Sequence, residues 1–171
     1  NQKISIKKVT NKTASLQHQE LALDKLIFLL KKNNSFTANI IQKSYTQRAG
    51  VITSKGVVKI HQPDKFYYEI SSPDNVLYIY NGEILWQYNK DLMQVIKKHL
   101  QQDLSDLPLL VLTNPDKKVL KYFEVKEFSH NIFILTIKNT DSFIKQLLIS
   151  FDNKNTLNQF QILNTSDQRT Q

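Results

Sequence analysis

The side chains able to do chemistry are few and lie far apart. His18, His61, His99 and His130 each stand alone, with no HExxH pair and no second histidine at metal-ligand spacing, so they read as surface or turn residues. The chain has no cysteine, which excludes disulfides, thiol catalysis, thiolate metal sites and lipidation of an N-terminal cysteine in this sequence. Three glycines are too few for a phosphate-cradling loop, and no GxSxG elbow occurs. Glu69 and Glu83 are the carboxylates a hairpin could bring face to face, but a hydrolytic pair needs a polar cleft, and the residues around them are aromatic. No enzyme, metal or cofactor is expected. What remains is the chemistry of apolar surface.

That surface is densest from Phe66 to Val95. Phe66, Tyr68 and Ile70 alternate with Tyr67, Glu69 and Ser71, Pro73-Asp74 punctuates, and a second apolar run follows from Val76 to Tyr80. Asn81-Gly82 predicts a type I′ turn that folds Ile84 to Tyr88 straight back. The return strand carries Ile84, the single tryptophan Trp86 and Tyr88 on one side. These are expected to join Phe66, Tyr68 and Ile70 in an aromatic face that something must cover or fill.

The elements that would position this face follow from the rest of the pattern. Residues 1 to 12 read as a polar tail. From Thr13, a candidate N-cap, to about Lys32 the apolar positions Leu16, Leu23, Leu26, Ile27 and Leu30 recur at helical spacing, widened by Leu21, Ala22, Phe28 and Leu29. Strands are expected at Phe36 to Lys43, at Ile52 to Ile60 with Gly56 marking a bulge or close backbone approach, and at Asp91 to Ile96 after the hairpin. Asp103 to Thr113 is too densely apolar for alternation and predicts a short helix capped by Ser105 or Asp106, with Pro108 in its first turn, which Asn114-Pro115-Asp116 ends. Strands resume at Val119 to Phe128, Asn131 to Lys138, Ser142 to Asp152 and Thr156 to Leu163.

Composition narrows the class. With 171 residues, 40% of them apolar, one domain with a sizeable core is expected. No apolar run approaches the ~20 residues of a membrane helix, and residues 1 to 11 lack the apolar middle of a signal peptide. The net charge of +8 suggests nucleic acid, but Arg48 and Arg169 are the only arginines and the lysines are scattered, so nucleic-acid binding is not expected.

Several stretches, in order, resemble the periplasmic outer-membrane lipoprotein carrier (LolA) family. They are Phe36-x-Ala38-x-Ile40-x-Gln42, Gly56 through Pro63-x-x-Phe66, Asn81-Gly82-x-x-Leu85-Trp86-x-Tyr88, Asp91-Leu92-x-Gln94-Val95, Leu107-Pro108-Leu109-Leu110 and Asp167-Gln168-Arg169. The resemblance implies an α+β fold: an incomplete antiparallel β-barrel of about ten strands, with helices forming a lid over an apolar cavity, in a single domain from 13 to 171 that lacks the family's C-terminal strand. It implies acyl-chain contacts from Phe36, Ile40, Val58, Ile60, Phe66, Tyr68, Ile70, Tyr78, Ile84 and Trp86, and a lid built on Leu23, Leu26, Ile27, Leu30, Leu109 and Leu110. The family has an arginine before the proline of its second strand that latches the lid; here that position is Gln62, whose uncharged amide implies a weaker latch.

By the same resemblance the partners are acylated lipoproteins, an inner-membrane release complex and an outer-membrane receptor. The place is the periplasm, and a monomer is expected. Read from the residues alone, the same apolar side chains would also serve as the core of a plain α+β domain. A periplasmic lipid- or protein-sensing scaffold of the same fold is the alternative function.

Overall fold

No glycine or proline occurs in residues 1–49, and in the computed structural model, which describes residues 2–46, 50–100, 108–139, 142, 144–164 and 169–170, the first helix uses that freedom. Helix α1 runs Gln2–Lys32, so it starts in the segment expected to be a polar tail and not at Thr13. Lysine, glutamine and isoleucine are all tolerated in a helix interior, and without a breaker the helix continues toward the N-terminus. Its buried stripe is Ala22, Leu26, Leu29 and Leu30, while Leu16, Leu21 and Phe28 are exposed. Asn33 ends it: the side-chain amide donates to the carbonyls of Leu29 (2.8 Å) and Asn155 (2.9 Å), and its oxygen accepts from the Leu157 N–H (3.0 Å). One residue thereby satisfies a helix end and fixes it to a distant turn.

The strands are β1 Ser35–Thr46, β2 Gly50–His61, β3 Lys65–Ser72, β4 Val76–Tyr80, β5 Ile84–Asn89, β6 Gln94–His99, β7 Phe123–Ser129, β8 Ile132–Ile137, β9 Ile144–Phe151, β10 Leu157–Asn164 and β11 Arg169–Thr170. Ten longer strands fall into two antiparallel wings, β6-β5-β4-β3-β2-β1 and β10-β9-β8-β7, and two-residue β11 pairs with both β1 and β10 to join them. The β6 and β7 edges do not pair, so the barrel stays open. Of the late acidic-Gln motif, Asp167 and Gln168 lie outside the described residues, while Arg169 is in the bridging strand.

Two local features set which side chains share a face. At Gly56 the register against β3 shifts, with Lys55 opposite Ser72 but Gly56 opposite Ile70, and a Cβ on Gly56 would lie 1.8 Å from the Glu69 carbonyl oxygen. At the β4–β5 turn the Asn81 side chain accepts from the backbone N–H groups of Glu83 (3.1 Å) and Ile84 (2.9 Å), and positive φ occurs at Gly82 but not at Asn81. This is an Asx turn within the four residues between the paired Tyr80 and Leu85, not the expected type I′ pair.

The paired positions then run Phe66–Tyr80–Leu85 and Tyr68–Tyr78–Gln87. Ile84, Trp86 and Tyr88 therefore lie on the opposite face from Phe66, Tyr68 and Ile70. Trp86 stands opposite Ile79, which pairs with Tyr67. The expected single aromatic face is two faces, because cross-strand partners share a side and Tyr80 is in phase with the odd-numbered residues of β5.

The short helices differ from expectation as well. Helix α2 is one turn, Leu110–Thr113, with Leu109 at its N-cap and no side-chain cap; Leu104, Ser105, Asp106 and Leu107 lie outside the described residues. Helix α3, Lys117–Leu120, occupies residues expected to begin a strand, because Asp116 caps it by accepting the Val119 N–H at 2.8 Å. Strand β6 starts at Gln94, since residues 90–93 form a turn.

The Gly56 contact is with backbone, which cannot move aside as a side chain would. Gly56→Ala should lower stability by about 1–3 kcal/mol, read as a shift of the urea-unfolding midpoint with unchanged slope; an unshifted midpoint would show that the two strands can part without cost.

Candidate ligand-binding face and its cover

The concave side of the first wing is built in rows across the strands. Nearest the β2–β3 turn, Phe36, Ile60, Phe66, Tyr80 and Leu85 are in register; the next row is Ala38, Val58, Tyr68, Tyr78 and Gln87; the third is Ile40, Gly56, Ile70, Val76 and Asn89. Burial falls along this series. Ile60, Phe66, Tyr80 and Leu85 are buried, whereas Tyr68, Tyr78, Ile40 and Ile70 are only half-buried. Tilted ring pairs, Phe66–Tyr80 at 5.6 Å and Tyr68–Tyr78 at 6.1 Å between centroids, stiffen the first two rows. The hydroxyl of Tyr68 donates to the side-chain oxygen of Gln42, and burial pushes the Tyr68 hydroxyl up to about 12, so it remains a protonated donor at neutral pH.

The cover comes from both helices. Leu26 and Leu30 of α1 and Leu110, Val111 and Leu112 of α2 are buried in one cluster with Ile60 and Phe66, and Leu23, Ile27 and Leu109 pack against it half-buried. Gln62 holds the two helices together. Its side-chain nitrogen donates to the carbonyl of Leu30 (3.0 Å) and to that of Leu112 (2.8 Å), using both amide hydrogens on carbonyls at the ends of two helices. The same corner is tied again by Asp64, whose N–H donates to the Thr113 carbonyl (3.0 Å) and whose carboxylate accepts from the Asn114 side chain (2.8 Å).

Along the far wing α1 is positioned by Gln19 donating to Glu124 (2.8 Å) and by the Lys25–Glu127 pair (2.5 Å), with Lys117 of α3 reaching Asp24 at 2.9 Å. The Lys25 ammonium and the Asn131 N–H hold the Glu127 carboxyl below the usual range even though partial burial opposes them. Such exposed pairs orient an element more than they stabilise it.

Eight of the ten residues expected to contact acyl chains share the concave side: Phe36, Ile40, Val58, Ile60, Phe66, Tyr68, Ile70 and Tyr78. Ile84 and Trp86 do not, for the reason of register given above. In exchange the face contains Ala38, Val76, Tyr80, Leu85 and Gln87, which turn parity would have indicated: any even-membered loop after Tyr80 sends Leu85, not Trp86, inward. Glu69 and Glu83 are not a pair, since Glu69 bonds Lys90 and Tyr67 on the convex side and Glu83 lies 3.6 Å from His99. Hydrogen bonds from Lys90 and Tyr67 lower the Glu69 carboxyl below its ordinary value. Among the described residues no three of His, Asp and Glu could hold a metal.

The family description "Outer membrane lipoprotein carrier protein LolA" matches residues 31–171. The chain belongs to the LolA family. It is 34% identical to the outer-membrane lipoprotein carrier protein of Francisella philomiragia over 161 residues, covering 87% of this chain and 78% of that protein. It is 31% identical to that of Hahella chejuensis over 146 residues, covering 82% and 70%. A LolA superfamily protein from Nitrosomonas europaea, known from a crystal structure, superposes with a TM-score of 0.45 at 13% identity, covering 89% of this chain and 74% of that one. The LolA match begins at Lys31, so it takes in every strand, α2, α3 and Gln62, while nearly all of α1 precedes it.

Because one amide serves two helices, its loss should loosen both at once. Gln62→Ala should cost about 1–3 kcal/mol of stability and speed amide hydrogen exchange in α2 and the last turn of α1, with β7 to β10 unaffected. Unchanged exchange at both helix ends would show that Gln62 does not hold them.

Proposed function

We propose that this chain is a periplasmic carrier that shields the acyl chains of lipoproteins against its concave face and delivers them toward the outer membrane. The observation that carries the reading is the half-buried stretch of Ile40, Tyr68 and Tyr78, packed against a buried core whose cover is joined by an uncharged amide, with half-buried Ile70 beside them on the same face. Membership of the LolA family and the names of its relatives supply the cargo. No helix among the described residues is long and apolar enough to cross a membrane. The partners are an inner-membrane release complex that loads the carrier and an outer-membrane receptor that unloads it, and the carrier works as a monomer.

The energetics favour loose holding. Each methylene taken from water contributes about 0.8 kcal/mol, so one ~16-carbon chain fully buried would contribute on the order of 12 kcal/mol, and several would pass the practical ceiling on affinity. A carrier that must give up its load cannot bury its cargo perfectly. Flat tyrosine rings with hydroxyls on the wall, and a cover held by neutral hydrogen bonds worth ~1 kcal/mol each in place of charge-assisted ones, both lower the hold.

A diacylated lipoprotein diluted out of detergent should stay in solution as a one-to-one complex with the wild-type chain, read by size exclusion. Ile70→Glu puts a carboxylate against the bound hydrocarbon and should lower retention at least tenfold, whereas Trp86→Glu, on the other face, should leave it unchanged. Full retention by folded Ile70→Glu, or loss through Trp86→Glu, would refute the assignment of the face.

A further inference from the structure

The apolar rows of the concave face stop before the sheet does. From β1 to β4 the second row reads Ala38, Val58, Tyr68, Tyr78, and then β5 supplies Gln87; the third reads Ile40, Gly56, Ile70, Val76, and then Asn89. On β6 the residues facing Asn89, Gln87 and Leu85 are Gln94, the exposed Ile96 and Lys98, so polar side chains enter the face at Gln87 and Asn89 and at two of these three β6 positions. Among the described residues no strand pairs with the outer edge of β6, and all six of its residues are exposed. The Asn89 oxygen is taken by the Leu92 N–H at 3.0 Å. By contrast, the Tyr78 hydroxyl and the Gln87 amide, directly opposite each other, have no hydrogen-bond partner among the described residues. Both side chains are half-buried on the ligand-facing side.

A hydrocarbon laid across such donors would strip their water and return nothing. A ligand that is apolar over most of its length and carries carbonyl oxygens at one end would satisfy them. Resting on the carrier reading, we propose that Gln87 and Tyr78 form a subsite for the ester carbonyls of the cargo's diacylglyceryl group. The Gln87 N–H and the Tyr78 O–H donate to those carbonyls, the acyl chains run back over Tyr68, Ile70 and Ile40, and the polypeptide leaves over the open β5–β6 edge. The end of the face along the strands, at Ile60 and Phe66, is closed by Gln62 and α2.

Two synthetic lipopeptides separate this subsite from the apolar face itself: a cysteinyl peptide with a dialkanoyl glyceryl thioether, and its dialkyl ether analogue, which has the same chains and no carbonyls. By fluorescence anisotropy with the wild-type chain, the diester should bind about 25-fold more tightly than the diether, the value of two neutral hydrogen bonds at about fivefold each. Gln87→Leu and Tyr78→Phe, the latter a milder change that guards against misfolding at position 87, should each reduce that preference by weakening only the diester, and the double variant should abolish it. Equal wild-type affinities, or a preference that survives both substitutions, would overturn the subsite and leave the carrier reading standing. Failure of the wild-type chain to bind either lipopeptide would overturn the carrier reading, and the subsite with it.

Discussion

The carbonyls of Leu30 and Leu112 stand at the ends of two helices from distant parts of the chain, and a single amide nitrogen, that of Gln62, satisfies both. Everything above the concave face depends on that meeting point. It fixes where α1 ends relative to β2, with Leu26 and Leu30 in one buried cluster with Ile60 and Phe66, and it seats α2 on the same corner, with Asp64 and Asn114 as the second tie. Gln62 is neutral, so the corner is held by bonds of ordinary strength and not by a buried charge that would be costly to release.

A second constraint is the unclosed sheet. With β6 and β7 unpaired, the two wings meet at β11, and the concave side is left to be covered by short helices and by α1. The far wing is covered by α1, which packs on β7, and its Phe133, Leu135, Leu147 and Ile149 are fully buried. The first wing is less completely covered: Phe66 is buried, while Tyr68 and Ile70 are half-buried. That imbalance between wings is the structural basis for reading one of them as a binding surface and the other as ordinary core.

Much of this was legible in the sequence, because apolar periodicity reports burial directly. The α1 stripe of Leu26 and Leu30 and the alternation of Phe36 and Ile40 and of Phe66, Tyr68 and Ile70 follow from patterning alone, and Gly56 marked the close approach of β2 to β3. The Gln62 corner was legible only through resemblance to the LolA family, since nothing local marks a strand-end glutamine as a bridge between helices 32 and 50 residues away. Trp86 was misplaced because an aromatic residue draws attention to itself while its face is decided by the parity of the turn just before its strand, which pairs Tyr80 with Leu85. Helix α3 went unseen because Asp116, read as the end of one helix, is the cap of the next, and the start of α1 was misjudged because polarity does not stop a helix when no breaker does.

The account rests on one assignment, that lipid chains lie on the concave face of β1 to β4 beneath α1 and α2. A diacylated lipopeptide with a diazirine at the end of one acyl chain, bound to the intact protein, irradiated and mapped by mass spectrometry, tests it most directly. Labelling should fall on Ile40, Tyr68, Ile70 and Tyr78 and on the inward leucines of the cover. Labelling of Leu77, Ile79, Trp86 and Tyr88 on the convex side, with the concave residues unmarked, would contradict it.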